Sequence, residues 1–457
     1  MTGNMIATDA ITFNDRDEFH RKPIAEKLIR LLTSGIQISP MVIDGQWGTG
    51  KTEFCHKLKN LLKETHPEIK IAYIDAFKAD HANEPLITLI AAISNLIEDE
   101  EKASNFKNKA IPAIRYGLKT LGKAGIAWIL KKNADDIPDE LEDVLQEVAE
   151  DSINSAIEQS LEDHRDIEAT LATLKGALKQ IVEDTSLILF IDELDRCKPD
   201  FAISMLENIK HIFDVPNIQF VLVSNLRQLK ESINHCYGTG VDAQKYLDKF
   251  IKYSLQLPVD FSFDRLNYTL ASVEHANQLI KQSRLLGNSN LLKDGLLFFI
   301  NTFTEENNLS LREVEAFVRH LEISQVLGES TYFSSGIFGL ELLRLIGIYL
   351  HCFEKDISDN VVLGKIDTLA ITGIFGIRSF AETENFDHRP NNQQVMARIL
   401  MLENPGGVEG FSDRDTERDS FWQKEIAEYF RGNLRYRMDG YYTKFIADTI
   451  RMLRLGV

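Results

Sequence analysis

Two short stretches of this 457-residue chain carry the residue types that phosphoryl chemistry needs. The first is Gly45-Gln46-Trp47-Gly48-Thr49-Gly50-Lys51-Thr52, set after the apolar run Met41-Val42-Ile43 and before a helical pattern at 53–63. A glycine-rich turn between a strand and a helix aims several backbone N–H groups into one concavity, which suits a polyphosphate. From such a turn Lys51 reaches the β- and γ-phosphates as a point charge, and the Thr52 hydroxyl is a ligand for Mg2+. The second stretch, Leu187-Ile188-Leu189-Phe190-Ile191 followed by Asp192-Glu193, begins well over 100 residues later. At a strand end Asp192 would hold Mg2+, directly or through water, and Glu193 would polarise an attacking water.

Three further residues are candidates on the same logic. Arg196 either reaches a neighbouring subunit's γ-phosphate or pairs with Asp192 or Asp195, and the sequence leaves both open. Asn225 follows the apolar run Phe220–Val223, where a polar side chain either senses the γ-phosphate and water or only caps the strand. Arg312 lies just after Ser310, which reads as a helix N-cap with Glu313 three residues later. A cation is disfavoured in a first helical turn, which makes Arg312 a candidate to reach over a nucleotide from a lid.

The elements that must position these residues are legible in outline. Apolar runs at Met41–Ile43, Ile71–Ile74, Leu187–Ile191 and Phe220–Val223 alternate with helical patterns, and three of the four are nearly all apolar. Strands covered on both faces read this way, so an α/β fold with a parallel sheet is expected. Residues 105–180 read as a helical insertion whose middle, 135–151, is strongly acidic, as a solvated helix face or a binding tail would be. The expected organisation is a core at 1–260, a helical lid at 261–330 and a mainly helical region at 331–457. Gly336–Phe353 reads as a buried helix, and Glu382–Ser420 as a long polar loop or a partly disordered stretch.

Composition excludes several classes. A formal net charge of −18 repels nucleic acid and anionic lipid unless basic patches are segregated. The 4 cysteines lie far apart with no CxxC pair, which fits reduced thiols in a cytoplasmic protein and neither a disulfide framework nor a zinc site. The N-terminus lacks the pattern of a signal peptide. No apolar run is long enough for a transmembrane helix. Ile111–Leu130 comes nearest, but Arg115, Lys119 and Lys123 form a cationic face, so it either packs on its own domain or touches a membrane surface with Trp128 as anchor.

Taken together, the motifs resemble the KAP family of P-loop NTPases over roughly Asp15 to Leu321. The most specific element is Phe190-Ile191-Asp192-Glu193-Leu194-Asp195-Arg196-Cys197-Lys198-Pro199, continuing through Leu206 to Phe213. The Gly45–Thr52 motif, the segment Asn14–Leu28 and Tyr246–Ile251 support it. The resemblance implies an additional-strand P-loop ATPase core with a helical lid, nucleotide-dependent assembly, and frequently a role in phage exclusion or multi-gene defence. It assigns phosphate and Mg2+ roles to Lys51, Thr52, Asp192 and Glu193, and a trailing acid–arginine pair to Asp195 and Arg196. The chain departs from the family where Asp75-Ala76-Phe77 replaces a frequent Asn-x-Trp, where Asn225 replaces a frequent Asp, and where charged 111–130 replaces a frequent transmembrane pair.

The leading expectation is therefore an ATPase switch, with ATP and Mg2+ as cofactors and a second copy or a separately encoded effector as partner. A DNA-acting motor or loader is the rival, suggested by Arg431, Arg435, Arg437, Lys444, Arg451 and Arg454 among Phe430, Tyr436, Tyr441 and Tyr442, and disfavoured by the overall charge. A third reading is a module that holds ATP without turning it over.

Overall fold

The computed structural model describes residues 10–82, 84–119, 163–183, 185–262, 268–328, 332–334, 336–384, 389–404, 416–430 and 441–456. The chain divides into two compact units, Met1–Pro258 and Val259–Val457. In the first, β1 (Met41–Asp44), β2 (Lys70–Asp75), β3 (Leu187–Asp192), β4 (Ile218–Ser224) and β5 (Tyr253–Gln256) form one sheet in the order β2-β3-β4-β1-β5. Every neighbouring pair runs parallel. This is the expected additional-strand core: β4 lies between β1, which feeds the glycine turn, and β3, which ends in Asp192. Register pairs Asp44 with Ser224 and Asp75 with Asp192, so the strand ends share one rim. Sequence reading missed β5, because its residues are mostly exposed at the sheet edge and carry no apolar run.

The strands are apolar because both faces are covered. In β3 every residue is buried, and alternation divides them. Leu187, Leu189 and Ile191 join a cluster with Val42, Ala72 and Leu222, whereas Ile188 and Phe190 join another with Met41, Ile43 and Val223. The second face is covered by α1 (Lys22–Leu32) and α2 (Lys51–Thr65) through Ala25, Leu28, Phe54 and Leu58. The first is covered by α3 (Pro85–Ser94), α4 (Glu100–Lys119), α5 (Asp163–Ile181), α6 (Pro199–His211) and α7 (Leu226–Tyr237). Each large side chain so buried contributes about 1.5–3 kcal/mol relative to exposure.

The expected insertion at 105–180 is described at its two ends, where Phe106, Ala110, Leu174 and Leu178 belong to the core of the sheet. Its acidic middle, and the part of 111–130 that holds Lys123 and Trp128, lie outside the described residues. Among the described residues no helix is long and apolar enough to cross a membrane.

The second unit opens with a hairpin, β6 (Asp260–Ser262) antiparallel to β7 (Tyr268–Leu270), where the pattern suggests helix alone. The longer helices are α8 (Ala271–Gln282), α9 (Asp294–Glu306), α10 (Leu311–Leu327), α11 (Phe338–Phe353), α12 (Asn392–Glu403), α13 (Thr416–Tyr429) and α14 (Tyr441–Leu453). One hydrophobic cluster runs from Ala276 and Phe299 through Phe317 and Leu343 to Met396 and Ile450. The segments 261–330 and 331–457, which the sequence separates, therefore share a core.

The polar loop expected at 382–420 needs correction, since α12 lies within it and α13 begins there. Asn391 caps α12 by accepting from the Gln394 N–H while the Gln394 side chain accepts from the Asn391 N–H, which satisfies two end groups at once. Val395, Met396, Ile399 and Leu400 are then buried, an apolar face hidden in sequence by its polar flanks. Of the basic and aromatic stretch, 431–440 lies outside the described residues. Phe430 and Tyr442 are core residues, Arg451 bonds Asp448 and the Val362 carbonyl, and Arg454 bonds Ser358 and Asp359.

Candidate functional site

The turn from β1 into α2 has the backbone its glycines permit. Gly48 and Gly50 have φ of 77° and 80°, a region that strains any residue with a Cβ. At Gly45 an added Cβ would sit 2.9 Å from Thr49 Oγ1 and 3.3 Å from Lys51 Cδ. Thr49 Oγ1 donates to the Gln46 carbonyl at 2.9 Å and holds the turn closed. Because Gly50 stands at the N-cap with no capping side chain, the first-turn N–H groups of α2 are left for an anion, with the positive end of a 15-residue helix behind them. Thr52 is the second residue of α2 and half-buried. Gln46 and Trp47 form the exposed lip of the turn.

Lys51 bends over this concavity and donates to the carbonyls of Gly45 at 2.6 Å and Gln46 at 2.9 Å. Burial lowers its pKa, and the charges of Asp195, Asp192 and Asp44 oppose that shift. Three carboxylates from different elements thus act on one ammonium, so the two motifs do meet at one rim. From outside the motif, the buried Arg21 braces the turn, donating to the Thr49 carbonyl at 3.0 Å and the Pro258 carbonyl at 2.9 Å. Burial lowers its pKa to about 10, so it remains a cation at neutral pH.

Asp192 ends β3 and is 3% exposed. Its Oδ1 accepts the Glu193 N–H at 2.7 Å, and its Oδ2 accepts the hydroxyl of Tyr73. Tyr73 stands on β2, and burial first, then Asp192, raises its pKa, so the hydroxyl keeps its proton. Glu193 leaves the strand with φ 61° and ψ 25°, a left-handed conformation that costs a non-glycine residue about 1–3 kcal/mol. Its carboxylate lies 3.0 Å from Arg196 Nη1. Burial raises the Glu193 pKa and Arg196 opposes it, with Asp192, Asp75 and Asp195 adding to the rise. The ion pair expected of Arg196 therefore exists with a different partner, Glu193 in place of Asp192 or Asp195. The tight 3-10 turn Leu194–Arg196 is the reason, since it sets residue i+3 beside residue i.

Asp195 ties the two motifs together. It accepts from Trp47 Nε1 at 2.5 Å on the glycine turn and from Ser224 Oγ at 3.1 Å at the end of β4. Asn225 follows Ser224 and caps α7, its Oδ1 accepting the Arg227 N–H at 3.1 Å, while Asp44 of β1 accepts the Leu226 N–H at 2.9 Å. The capping alternative for Asn225 is thus present, and its amide Nδ2 is the group with which it would reach a phosphate. Arg312 is not among the residues the first unit gathers. It is exposed in the first turn of α10 in the second unit, behind the expected Ser310–Glu313 capping box.

Three features escaped sequence reading. Tyr73 carried a weak signal, as the one hydroxyl in an otherwise apolar strand run. Arg21 and the pairing of Trp47 with Asp195 carried none, because the partners are 28 and 148 residues apart. The donor set suits Mg2+: a threonine hydroxyl and a carboxylate supply hard oxygens, and this ion is usually held by one or two carboxylates together with phosphates. Among the described residues no group of three or more His, Cys, Asp or Glu forms a closed cage for another metal.

Comparison with known proteins agrees with this geometry. The KAP family P-loop domain matches residues 21–327, from Arg21 to the last residue of α10. The Phage T7 exclusion protein of Escherichia coli (strain K12) is 23% identical over 264 residues, 53% of this chain and 34% of that protein. The chain therefore spans about a third of that relative's length. With the match covering most of the chain, a parallel sheet of the expected order and both motifs at one rim, the chain belongs to the KAP family of P-loop NTPases.

Proposed function

We propose that this chain is a Mg2+-dependent ATPase whose nucleotide state controls association with a second copy of itself or with an effector protein, in a bacterial anti-phage setting. The observation that carries the hydrolytic part is the bond from Trp47 on the glycine turn to Asp195, three residues beyond Asp192, with Glu193 beside Asp192. The N–H groups at the start of α2 and the Lys51 ammonium hold the β- and γ-phosphates. Thr52 and Asp192 would hold the metal, which when bound neutralises charge on the phosphate oxygens. Glu193 accepts a proton from the attacking water, and for this its carboxylate must leave Arg196 or share it. Release of Glu193 would free Arg196 for a phosphate in the same or a neighbouring subunit, which joins its two expected roles into a sequence. Asn225, which caps α7 through Oδ1, would use Nδ2 to report the γ-phosphate to that helix. The anti-phage setting is supported by the name of the relative alone.

Purified chain supplied with ATP and Mg2+ should release phosphate, and Glu193→Gln should bind nucleotide while releasing almost none. Turnover unchanged in Glu193→Gln would overturn the assigned base. Light scattering with a slowly hydrolysed ATP analogue tests the switch, and an unchanged mass with and without the effector would remove it. Adding duplex DNA to the phosphate-release assay tests the motor reading, for which stimulation is required.

A further inference from the structure

Tyr73 occupies a place in the site that the family motifs do not assign. Register pairs it with Phe190, two residues before Asp192, on the sheet face that α2 covers. Its ring stacks on His56 of α2 with centroids 4.4 Å apart and planes 27° apart. The ammonium of Lys59, also on α2, lies 5.3 Å from the ring centroid. Both helix residues are buried, so the ring is gripped by the helix that begins at the glycine turn. From this grip the hydroxyl donates to Asp192 Oδ2, while the Glu193 N–H takes Oδ1.

A carboxylate oxygen has two acceptor sites, so each oxygen of Asp192 keeps one after these bonds are made. Mg2+ demands near-octahedral geometry and gives up its waters reluctantly. A carboxylate whose oxygens each hold one donor, one of them from a ring fixed by stacking, presents its remaining acceptor sites in a set direction. Partners of this kind, one step behind the metal, typically alter metal affinity by about 10–100-fold when removed.

We infer that Tyr73 is a positioning residue that fixes the orientation of Asp192 toward the place where Mg2+ would be held and couples that carboxylate to the phosphate-loop helix through its stack on His56. The inference rests on the Mg2+–nucleotide reading of the site and goes beyond it by naming the side chain that orients Asp192.

The test is Tyr73→Phe, which keeps the stacked ring and removes the hydroxyl. A fluorescent ADP derivative is titrated into the full chain with and without Mg2+. The variant should match the native chain without Mg2+, and should lose about tenfold of the extra affinity that Mg2+ confers. In an Asp192→Asn background, adding Tyr73→Phe should change nothing further, because the hydroxyl acts only through that carboxylate. Equal Mg2+ dependence in the native chain and Tyr73→Phe would overturn the inference. So would a loss that is the same with and without the metal, or full additivity with Asp192→Asn. If the native chain itself gains no affinity from Mg2+, the broader reading of the site fails, and the two failures are thereby told apart.

Discussion

The glycine turn and the acidic end of β3 face the same rim but are held in different ways. The turn is shaped mainly by its own residues, with Arg21 as an outside brace: left-handed glycines, a threonine hydroxyl bonded three residues back, and a lysine bonded to carbonyls five and six residues back. The acidic end is shaped by side chains that arrive from elsewhere. Tyr73 reaches Asp192 across 119 residues of sequence, Trp47 reaches Asp195 across 148, and Ser224 reaches Asp195 across 29. A local motif binds wherever a strand and helix flank it. A distributed one exists only once the sheet has aligned its strands, so the proposed catalysis is the part that would depend on the whole core.

That contrast can be pushed from its strongest consequence to its weakest. Glu193→Gln should reduce turnover by about 10²–10⁴-fold with nucleotide affinity nearly unchanged, read by phosphate release against a binding titration. Lys51→Ala removes charge-assisted contacts worth about 1.5–3 kcal/mol, so nucleotide affinity should fall by roughly one to two orders of magnitude in the same titration. Equal effects of both substitutions on binding would erase the division between a binding turn and a catalytic strand end.

Asp195→Asn tests the tie between the two. An asparagine has one acceptor oxygen, so its amide would face either the Trp47 N–H, which cannot accept, or Ser224, whose hydroxyl would have to turn and accept. The cost expected is about 1–3 kcal/mol of folding stability, measured by denaturant unfolding, together with a change in Trp47 fluorescence. A variant as stable as the native chain would show that the tie carries no energy.

The smallest effect concerns pH. Glu193 must be ionised to accept a proton, and burial holds its pKa above the usual glutamate range while Arg196 pulls it down. The acid limb of the turnover profile should therefore lie above that range. Arg196→Ala removes the opposing charge, so the limb should move to still higher pH. A shift to lower pH would mean that Arg196 acts on a different group.

Legibility follows the same line. GQWGTGKT could be read because, Trp47 apart, the roles of its residues depend on neighbours within eight positions. The sheet strands could be read because burial on both faces demands continuous apolar runs, and β5 could not because its exposed edge makes no such demand. Asp192 and Glu193 were visible as an acidic pair ending an apolar run, yet the true partner of Arg196 was not, since it depends on a 3-10 turn that the sequence does not signal. In the second unit α12 was misread as loop, because its buried face is short and set between polar flanks.

By itself, then, the sequence determined the phosphate-binding turn, the parallel α/β core and the acidic strand end, because backbone conformation and strand burial leave a local record in residue type. Tertiary structure alone decided that Tyr73 holds Asp192, that Trp47 and Ser224 share Asp195, and that Arg21 braces the turn against Pro258. These are contacts between single side chains from separate elements. Each requires only a donor within reach of an acceptor, a condition set by strand order and register and written in no contiguous stretch of the chain.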